Sequence, residues 1–239
     1  MKAIILASGI GKRLKPLTND KPKSLVKITK KTILEHQLDN LAKCGIKKVI
    51  ITTGPFEDKI KNHLAEKYDD FKISYVHNPK YDSTNYIYSL WLTKTLIDDD
   101  IILFHGDLLF DEKLLKKILD GNGNLVLVDK KAKLPEKDFK AVIEHNKVIK
   151  IGVDFFGKNT FFCLPLYKFS KKDFLIWIQE MDKEIKDGNL NIYAEDAFNK
   201  ISNEIILRPL YCDEKNCMEI DTIEELSLAK EKMKNFYKR

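Results

Sequence analysis

The sequence predicts an α/β protein, a Rossmann-like three-layer sandwich whose mostly parallel, mixed sheet carries a small β-rich extension. Three observations predict it. Short apolar runs alternate with amphipathic stretches of helical period from residue 1 to about residue 120. A glycine-rich segment directly follows the first of those runs. After Gly121-Asn122-Gly123 the texture changes to shorter β-type runs divided by Asn-, Gly- and Lys-rich turns.

Taken in order, the parallel strands are expected at residues 2–7, 48–53, 73–77 and 101–105. Between the first two, Thr32 and Glu35 form a capping-box pair, Leu34, Leu38 and Leu41 repeat on one face, and Gly45 stands where a C-terminal cap belongs. Two further helices are expected over 57–66 and 85–96, the second turning Tyr88, Trp91 and Leu92 toward its buried side. Strands follow at 125–128, 141–143, 148–151 and 161–164. Ser170 with Asp173 opens a helix to about Lys186; then come a helix over 194–201, a strand over 205–211 and a last helix after Thr222, with Glu225 as its capping partner. No internal repeat or low-complexity linker interrupts the 239 residues, which suits a single domain.

The 42 Lys and Arg against 36 Asp and Glu give a net charge of +6 spread along the chain, a balance that argues against nucleic acid as the main partner and suits a small anionic substrate. The basic end from Lys230 to Arg239 reads as a solvated helix face. Cys44, Cys163, Cys212 and Cys217 lack CxxC or zinc-ligand spacing, so reduced thiols and a cytoplasmic location are expected. The apolar stretch from Ala3 to Ala7 is too short for a membrane span, and no signal-peptide cleavage region follows it. The sequence leaves a homodimer open.

The segment Leu6-Ala7-Ser8-Gly9-Ile10-Gly11-Lys12-Arg13-Leu14 lets backbone N–H groups approach a phosphate or a base at a strand's carboxyl end. It is not a dinucleotide fingerprint, because Leu14 stands where the third glycine belongs. It is not a Walker loop either: Leu6 replaces the first glycine and Arg13 the Ser/Thr after the lysine. What remains is a loop with Lys12 and Arg13, then Lys21-Pro22-Lys23-Ser24-Leu25, a dense positive field for a triphosphate.

Carboxylates follow from the same logic. The apolar run 101–105 ends in Gly106-Asp107, at the sheet edge that bears the glycine loop. In Met218-Glu219-Ile220-Asp221, extended alternation puts Glu219 and Asp221 on one face. Asp107 and Asp221 suit Mg²⁺, which takes a few carboxylates plus phosphate oxygens, with Glu219 as a further ligand or a group that orients the ligands. Asp221 beside Thr222 also reads as a helix cap. His105 reads as a packing residue or one that orients ligands.

These residues resemble the large nucleotidyltransferase family that activates sugar phosphates and alcohol phosphates, whose opening reads Leu-Ala-x-Gly-x-Gly-x-Arg-Leu-x-Pro-Leu-Thr followed by Pro-Lys. Ser8 departs from the usual alanine. The resemblance implies the nucleotidyltransferase fold, with residues 1–120 as the nucleotide-binding half and 121–239 as the half that binds the acceptor and completes the metal site. It implies that Arg13 grips the triphosphate and that Lys23 neutralises charge near the reacting α-phosphorus. Leu6, Ala7, Ser8, Gly9, Gly11, Lys12, Asn85, Ser89 and Gly106 are implied to line the nucleotide.

The run from Asn78 to Leu90 looks like the cytidylyltransferases acting on phosphocholine and 2-aminoethylphosphonate. Tyr193-Ala194-Glu195-Asp196 resembles the family's Tyr-x-x-Asp segment, which puts Tyr193, Glu195 and Asp196 near an acceptor ammonium; helix capping explains Glu195 or Asp196 about as well. Residues 133–142 hold no tryptophan, where phosphocholine enzymes carry an aromatic wall. The resemblance implies transfer of CMP from CTP to a phosphorylated amine or amino acid of the phosphocholine, 2-aminoethylphosphonate or phosphoglutamine type, with Mg²⁺ as cofactor and pyrophosphate release, in surface polysaccharide modification. The alternatives are a sugar-1-phosphate nucleotidyltransferase and a non-catalytic nucleotide-binding scaffold; retention of Arg13, Lys23, Asp107 and Asp221 together argues against the scaffold.

Overall fold

The computed structural model describes residues 1–212 and 217–236, the last three of these by backbone alone. Strand β1 (Lys2–Leu6) pairs in parallel with β2 (Lys48–Thr53) on one side and with β4 (Ile101–His105) on the other. Beyond β2 lies β3 (Lys72–His77), also parallel. Beyond β4 runs β9 (Thr160–Phe169), antiparallel both to β4 and to β6 (Asn124–Asp129). The edge strand β10 (Leu207–Cys212) is parallel to β6. A hairpin of β7 (Lys140–Glu144) and β8 (Lys147–Gly152) joins through β7 to β9, so among the described residues the sheet has nine strands and is mixed but mostly parallel.

Alternation along β1 makes the three layers. Ala3 and Ile5 face the helices α1 (Ile33–Lys43), α2 (Glu57–Leu64) and α4 (Glu112–Asp120). Ile4 faces α3 (Tyr86–Trp91), α5 (Lys171–Lys186) and α6 (Ala194–Ile201). A third, smaller core of Leu14, Val26, Ile28, Ile33, Leu109, Ile220, Leu226 and Ala229 joins the N-terminal loop to α7 (Ile223–Phe236). It also clamps an antiparallel ribbon of β5 (Leu108–Phe110) and β11 (Cys217–Glu219).

Several expectations need correction. The helix expected over 85–96 is α-helical only to Trp91 and tightens to a 3-10 turn over Leu92–Leu96. Its buried face is Ile87, Leu90 and Thr93; Tyr88, Trp91 and Leu92 are only partly covered. The strand expected at 161–164 extends to Phe169 despite Pro165. The register between β6 and β9 slips between Val126 and Leu127, opposite Pro165 and Leu166, so the missing proline N–H falls at an irregularity in the ladder. The last parallel strand starts at Leu207, not residue 205. Neither β5 nor α4 was expected, although Asp111 caps α4 by accepting from Leu114 N at 2.7 Å. Of the basic end, residues 237–239 lie outside the described residues. No helix among the described residues is long and apolar enough to cross a membrane.

At the start of α1, Thr32 Oγ1 accepts from Glu35 N at 3.1 Å and Glu35 Oε2 accepts from Thr32 N at 2.7 Å. Burial alone would raise the Glu35 pKa, but the bonds from Lys67 and Thr32, with His63 Nε2 3.3 Å away, outweigh it and bring it from 4.5 down to about 2. A depressed carboxylate stabilises the fold above its unfolded pKa and loses that contribution as pH falls toward the folded one. Glu35→Gln is therefore expected to cost about 1–3 kcal/mol in urea unfolding at pH 7. The gap to wild type should shrink between pH 4.5 and pH 2; a pH-independent difference would contradict the assignment.

Candidate active site

The site is assembled at the carboxyl ends of β1 and β4. Gly106 N donates to Leu6 O at 2.9 Å, and a Cβ on Gly106 would lie 2.9 Å from that oxygen and 3.0 Å from the Ala7 Cβ. Only glycine lets the turn before Asp107 sit against the loop after β1. From α1, the buried Gln37 pins both sides of this turn, donating to His105 O at 2.9 Å and to Leu108 O at 2.7 Å.

The ribbon then supplies the distant acids. Because β5 starts immediately after Asp107 and pairs Leu108 with Glu219, Ile220 N reaches Asp107 O at 3.1 Å. Glu219 and Asp221, on either side of buried Ile220, thereby flank Asp107. Lys23 comes from a short 3-10 turn, Lys23–Leu25, seated against Gly11: Gly11 has φ +66°, and a Cβ there would stand 2.9 Å from the Lys23 Cβ.

Charge decides the arrangement. The Lys23 ammonium bonds both Asp107 and Asp221, and Arg13 donates to Asp221 Oδ2 at 2.6 Å. Burial by itself would lower the Lys23 pKa, yet the two carboxylates outweigh it and hold it above the ordinary lysine value. Burial would raise Asp107, but Lys23 and His105 keep it below the ordinary range. Glu219 gets too little relief from Lys23: burial, then Asp107 and Asp221, push its pKa well above the ordinary value.

Two cavities meet here, sharing Leu6, Gly9 and Asp107. The first, about 270 Å³, is walled by the glycine loop with Lys12, Arg13, Lys23, Ser24, Gly106, Asp107 and Asp221. The second, about 250 Å³, is walled by Ser8, Thr52, Asn78, Tyr81, Asn85, Tyr86, Ser89 and His105, among others. In the first, Asp107 Oδ1 and Ser24 Oγ are buried without a hydrogen-bond partner, which marks a site prepared for a ligand. A divalent cation fits that state. One oxygen of Asp107 is unpaired, and single ligand atoms of His105, Asp107 and Glu219 all lie within 4.8 Å of one another; Asp221, whose two oxygens are held by Lys23 and Arg13, stands outside that group.

Arg13, Lys12, Lys23, Asp107, Asp221, Gly106 and the glycine loop thus line one cavity, with Glu219 beside them. Asn85 and Ser89 line the second, where Asn85 also caps α3 by accepting from Tyr86 N at 2.7 Å. The acceptor trio is different. Tyr193 packs on Phe139 and Tyr86, with ring centroids 5.0 and 5.9 Å apart. Asp196 Oδ2 accepts from Tyr193 N at 2.8 Å and so caps α6. Glu195 is 1% exposed and accepts from the Tyr86 and Tyr167 hydroxyls, so the expectation that it meets an acceptor directly is corrected. Ser24, Thr52, Asn78, Tyr81, Tyr86 and Gln37 are not among the expected site residues; the sequence signals Ser24 through the Lys-Pro-Lys-Ser-Leu run and Asn78, Tyr81 and Tyr86 through the Asn78–Leu90 run, and gives no signal for Thr52 or Gln37.

The pattern of the family described as Nucleotidyl transferase matches residues 2–146. The chain belongs to the nucleotidyl transferase family. It is 32% identical over 161 residues to the CTP:phosphoglutamine cytidylyltransferase of Campylobacter jejuni, an alignment covering 63% of this chain and 62% of that one. It is 35% identical over 114 residues to a UTP–glucose-1-phosphate uridylyltransferase of Haloferax volcanii, covering 48% of this chain and 46% of the relative. The chain therefore spans less than two thirds of the length of these curated relatives. Among solved structures, the CTP:phosphocholine cytidylyltransferase of Streptococcus pneumoniae superposes with a TM-score of 0.80 at 25% identity, covering 97% of this chain and 98% of that one.

The two loop glycines make a paired test. Gly11→Ala meets both a left-handed backbone and the Lys23 Cβ, and is expected to cost about 1–3 kcal/mol. Gly9→Ala meets nothing within 4 Å and is expected to stay within about 0.5 kcal/mol of wild type. Urea unfolding reads both; equal losses would contradict the seating of Lys23 on Gly11.

Proposed function

We propose that the chain transfers CMP from CTP to a small phosphorylated amine or amino acid and releases pyrophosphate. The observation that carries this reading is the single cavity in which Lys12, Arg13 and Lys23 stand opposite Asp107 and Asp221 around a glycine loop. A triphosphate there meets backbone N–H groups and three cations. Lys23 lines the cavity while bonded to both carboxylates, so its ammonium can exchange one of them for a phosphate oxygen. The nucleoside belongs on the side of the adjoining cavity formed by Ser8, Thr52, Asn78, Asn85 and Ser89, which leaves the side formed by Tyr86 and His105, next to Asp107, for the acceptor.

Asp107 and Asp221, with Glu219 alongside, are the residues that would hold Mg²⁺, which when bound neutralises phosphate charge and orients the transferring group. In the reaction an acceptor phosphate oxygen bonds to the α-phosphorus, the bond to the bridging oxygen breaks, and pyrophosphate leaves with the electron pair. An ionised phosphate oxygen needs no general base. That matches a site in which His105, the histidine nearest the carboxylates, packs edge-on against Tyr86 with ring centroids 4.8 Å apart. Arg13 and Lys23 stabilise the charge that grows on the leaving pyrophosphate.

CTP is supported by the Campylobacter and Streptococcus relatives, whose names give it as their nucleotide. The amine class of acceptor is supported by the same two names and by the Asn78–Leu90 resemblance, and a role in surface polysaccharide modification by that resemblance. The Haloferax relative favours a sugar-1-phosphate instead. The cytoplasm, where CTP is found, is the setting this activity needs.

Pyrophosphate release with Mg²⁺, four nucleoside triphosphates and a panel of acceptors tests the reading. Turnover is expected with CTP and an amine or amino-acid phosphate; turnover with glucose 1-phosphate alone would replace it by the sugar reading. Asp107→Asn is expected to lower kcat at least about a hundredfold. Its unfolding temperature should stay within a few degrees of wild type, and an unchanged rate would remove Asp107 from the chemistry.

A further inference from the structure

A buried carboxylate without a cation at its side needs another source of stabilisation. Glu195 is 1% exposed, and its two oxygens accept from Tyr86 and from Tyr167, the latter at 2.7 Å. It also lies in the first turn of α6, where backbone N–H groups favour negative charge. Both oxygens already accept from a phenol and almost none of the group is exposed, so it does not meet a substrate directly. Its effect on the site must pass through what it holds.

What it holds is Tyr86. That ring lines the second cavity, lies edge-on to His105 at 4.8 Å and leans on Tyr193 at 5.9 Å. His105 ends β4 two residues before Asp107, and its Nδ1 is 3.9 Å from Glu219 Oε1. A line of contacts therefore runs from α6 through Tyr86 to the strand end that carries Asp107. On the far side, Tyr167 is itself fixed in the core, against Trp177 at 5.9 Å.

We propose that Glu195 is a positioning residue: its bond to the Tyr86 hydroxyl sets that ring against His105 and Tyr193 and so shapes the wall where the acceptor docks. The acceptor part of this statement rests on the function proposed above; the Glu195–Tyr86–His105 part does not. A neutral amide in place of Glu195 would turn an N–H toward one of the phenol donors and break the pair. Loss of the Tyr86 hydroxyl breaks the same bond from the other end.

Glu195→Gln, Tyr86→Phe and the double variant test it together. Each single variant is expected to raise KM for the amine-phosphate acceptor about tenfold, and the double variant should be no worse than either, because one bond is lost in all three. CTP affinity, read by calorimetry, should stay within about twofold. A purely structural role would lower the amount of folded enzyme, and hence the rate with every substrate, without moving one KM apart from the other. Independently of turnover, the His105 ring resonances in NMR spectra of the free protein should shift alike in both single variants. Unmoved His105 signals, or effects that multiply in the double variant, would overturn the proposal. Shifted His105 signals with no turnover of any amine phosphate by wild type would instead overturn the acceptor class and leave the positioning role standing.

Discussion

The site depends on one ammonium group standing between two carboxylates. Asp107 and Asp221 are far apart in the chain, as are Lys23 and Asp221, 198 residues from each other, and like charges do not assemble unaided. Lys23 makes the assembly tolerable. Its side chain and those of Asp107 and Asp221 keep only 15–18% of their exposure, so solvent screens the cluster weakly. The balance is still incomplete, as the raised Glu219 and the unpaired Asp107 oxygen both record. The folded protein holds three closely spaced carboxyl groups beside a loop rich in cations, which suits a ligand that brings both a phosphate chain and a divalent ion.

Backbone pairing and apolar packing carry the three segments to the place where these charges meet. The close turn at Gly106 joins the ends of β1 and β4, and the β5–β11 ribbon delivers Glu219 and Asp221 across it. Under the ribbon, Leu14 from the loop meets Leu109 and Ile220 in one apolar cluster. Burying Leu14 fixes the direction in which its neighbour Arg13 leaves the backbone. Gln37 does the same for Asp107 through two carbonyls. The apolar and amide groups are thus the frame on which the charges are mounted.

Much of this was legible in the sequence, for a physical reason. The glycine loop, Lys23 and the Gly106-Asp107 turn are local patterns, each readable within a few residues of a strand end. The capping box of Thr32 and Glu35 is local too. The wall of the second cavity was only partly legible: the Asn78–Leu90 run carried a resemblance, but Thr52 comes from the end of another strand and nothing in its segment marks the meeting. Glu195 shows the limit most clearly. A carboxylate in the first turn of a helix reads alike as a cap, a ligand or a buried partner; only Tyr86, 109 residues away, and Tyr167, 28 residues away, decide for the last. The length of β9 was hidden by Pro165, whose missing donor is absorbed by the register slip.

If a cation-lined loop and a carboxylate-held divalent ion grip one triphosphate from opposite sides, nucleotide affinity must need both. Calorimetric titration of a non-hydrolysable CTP analogue into wild type, Lys23→Ala and Asp221→Asn, each with and without Mg²⁺, reads this directly. Wild type is expected to bind at least about a hundredfold more tightly with Mg²⁺ than without it, and Asp221→Asn to lose most of that gain. Lys23→Ala should bind weakly in both conditions. Equal affinity with and without the ion in wild type, or an Asp221→Asn protein that keeps the full response to Mg²⁺, would contradict it.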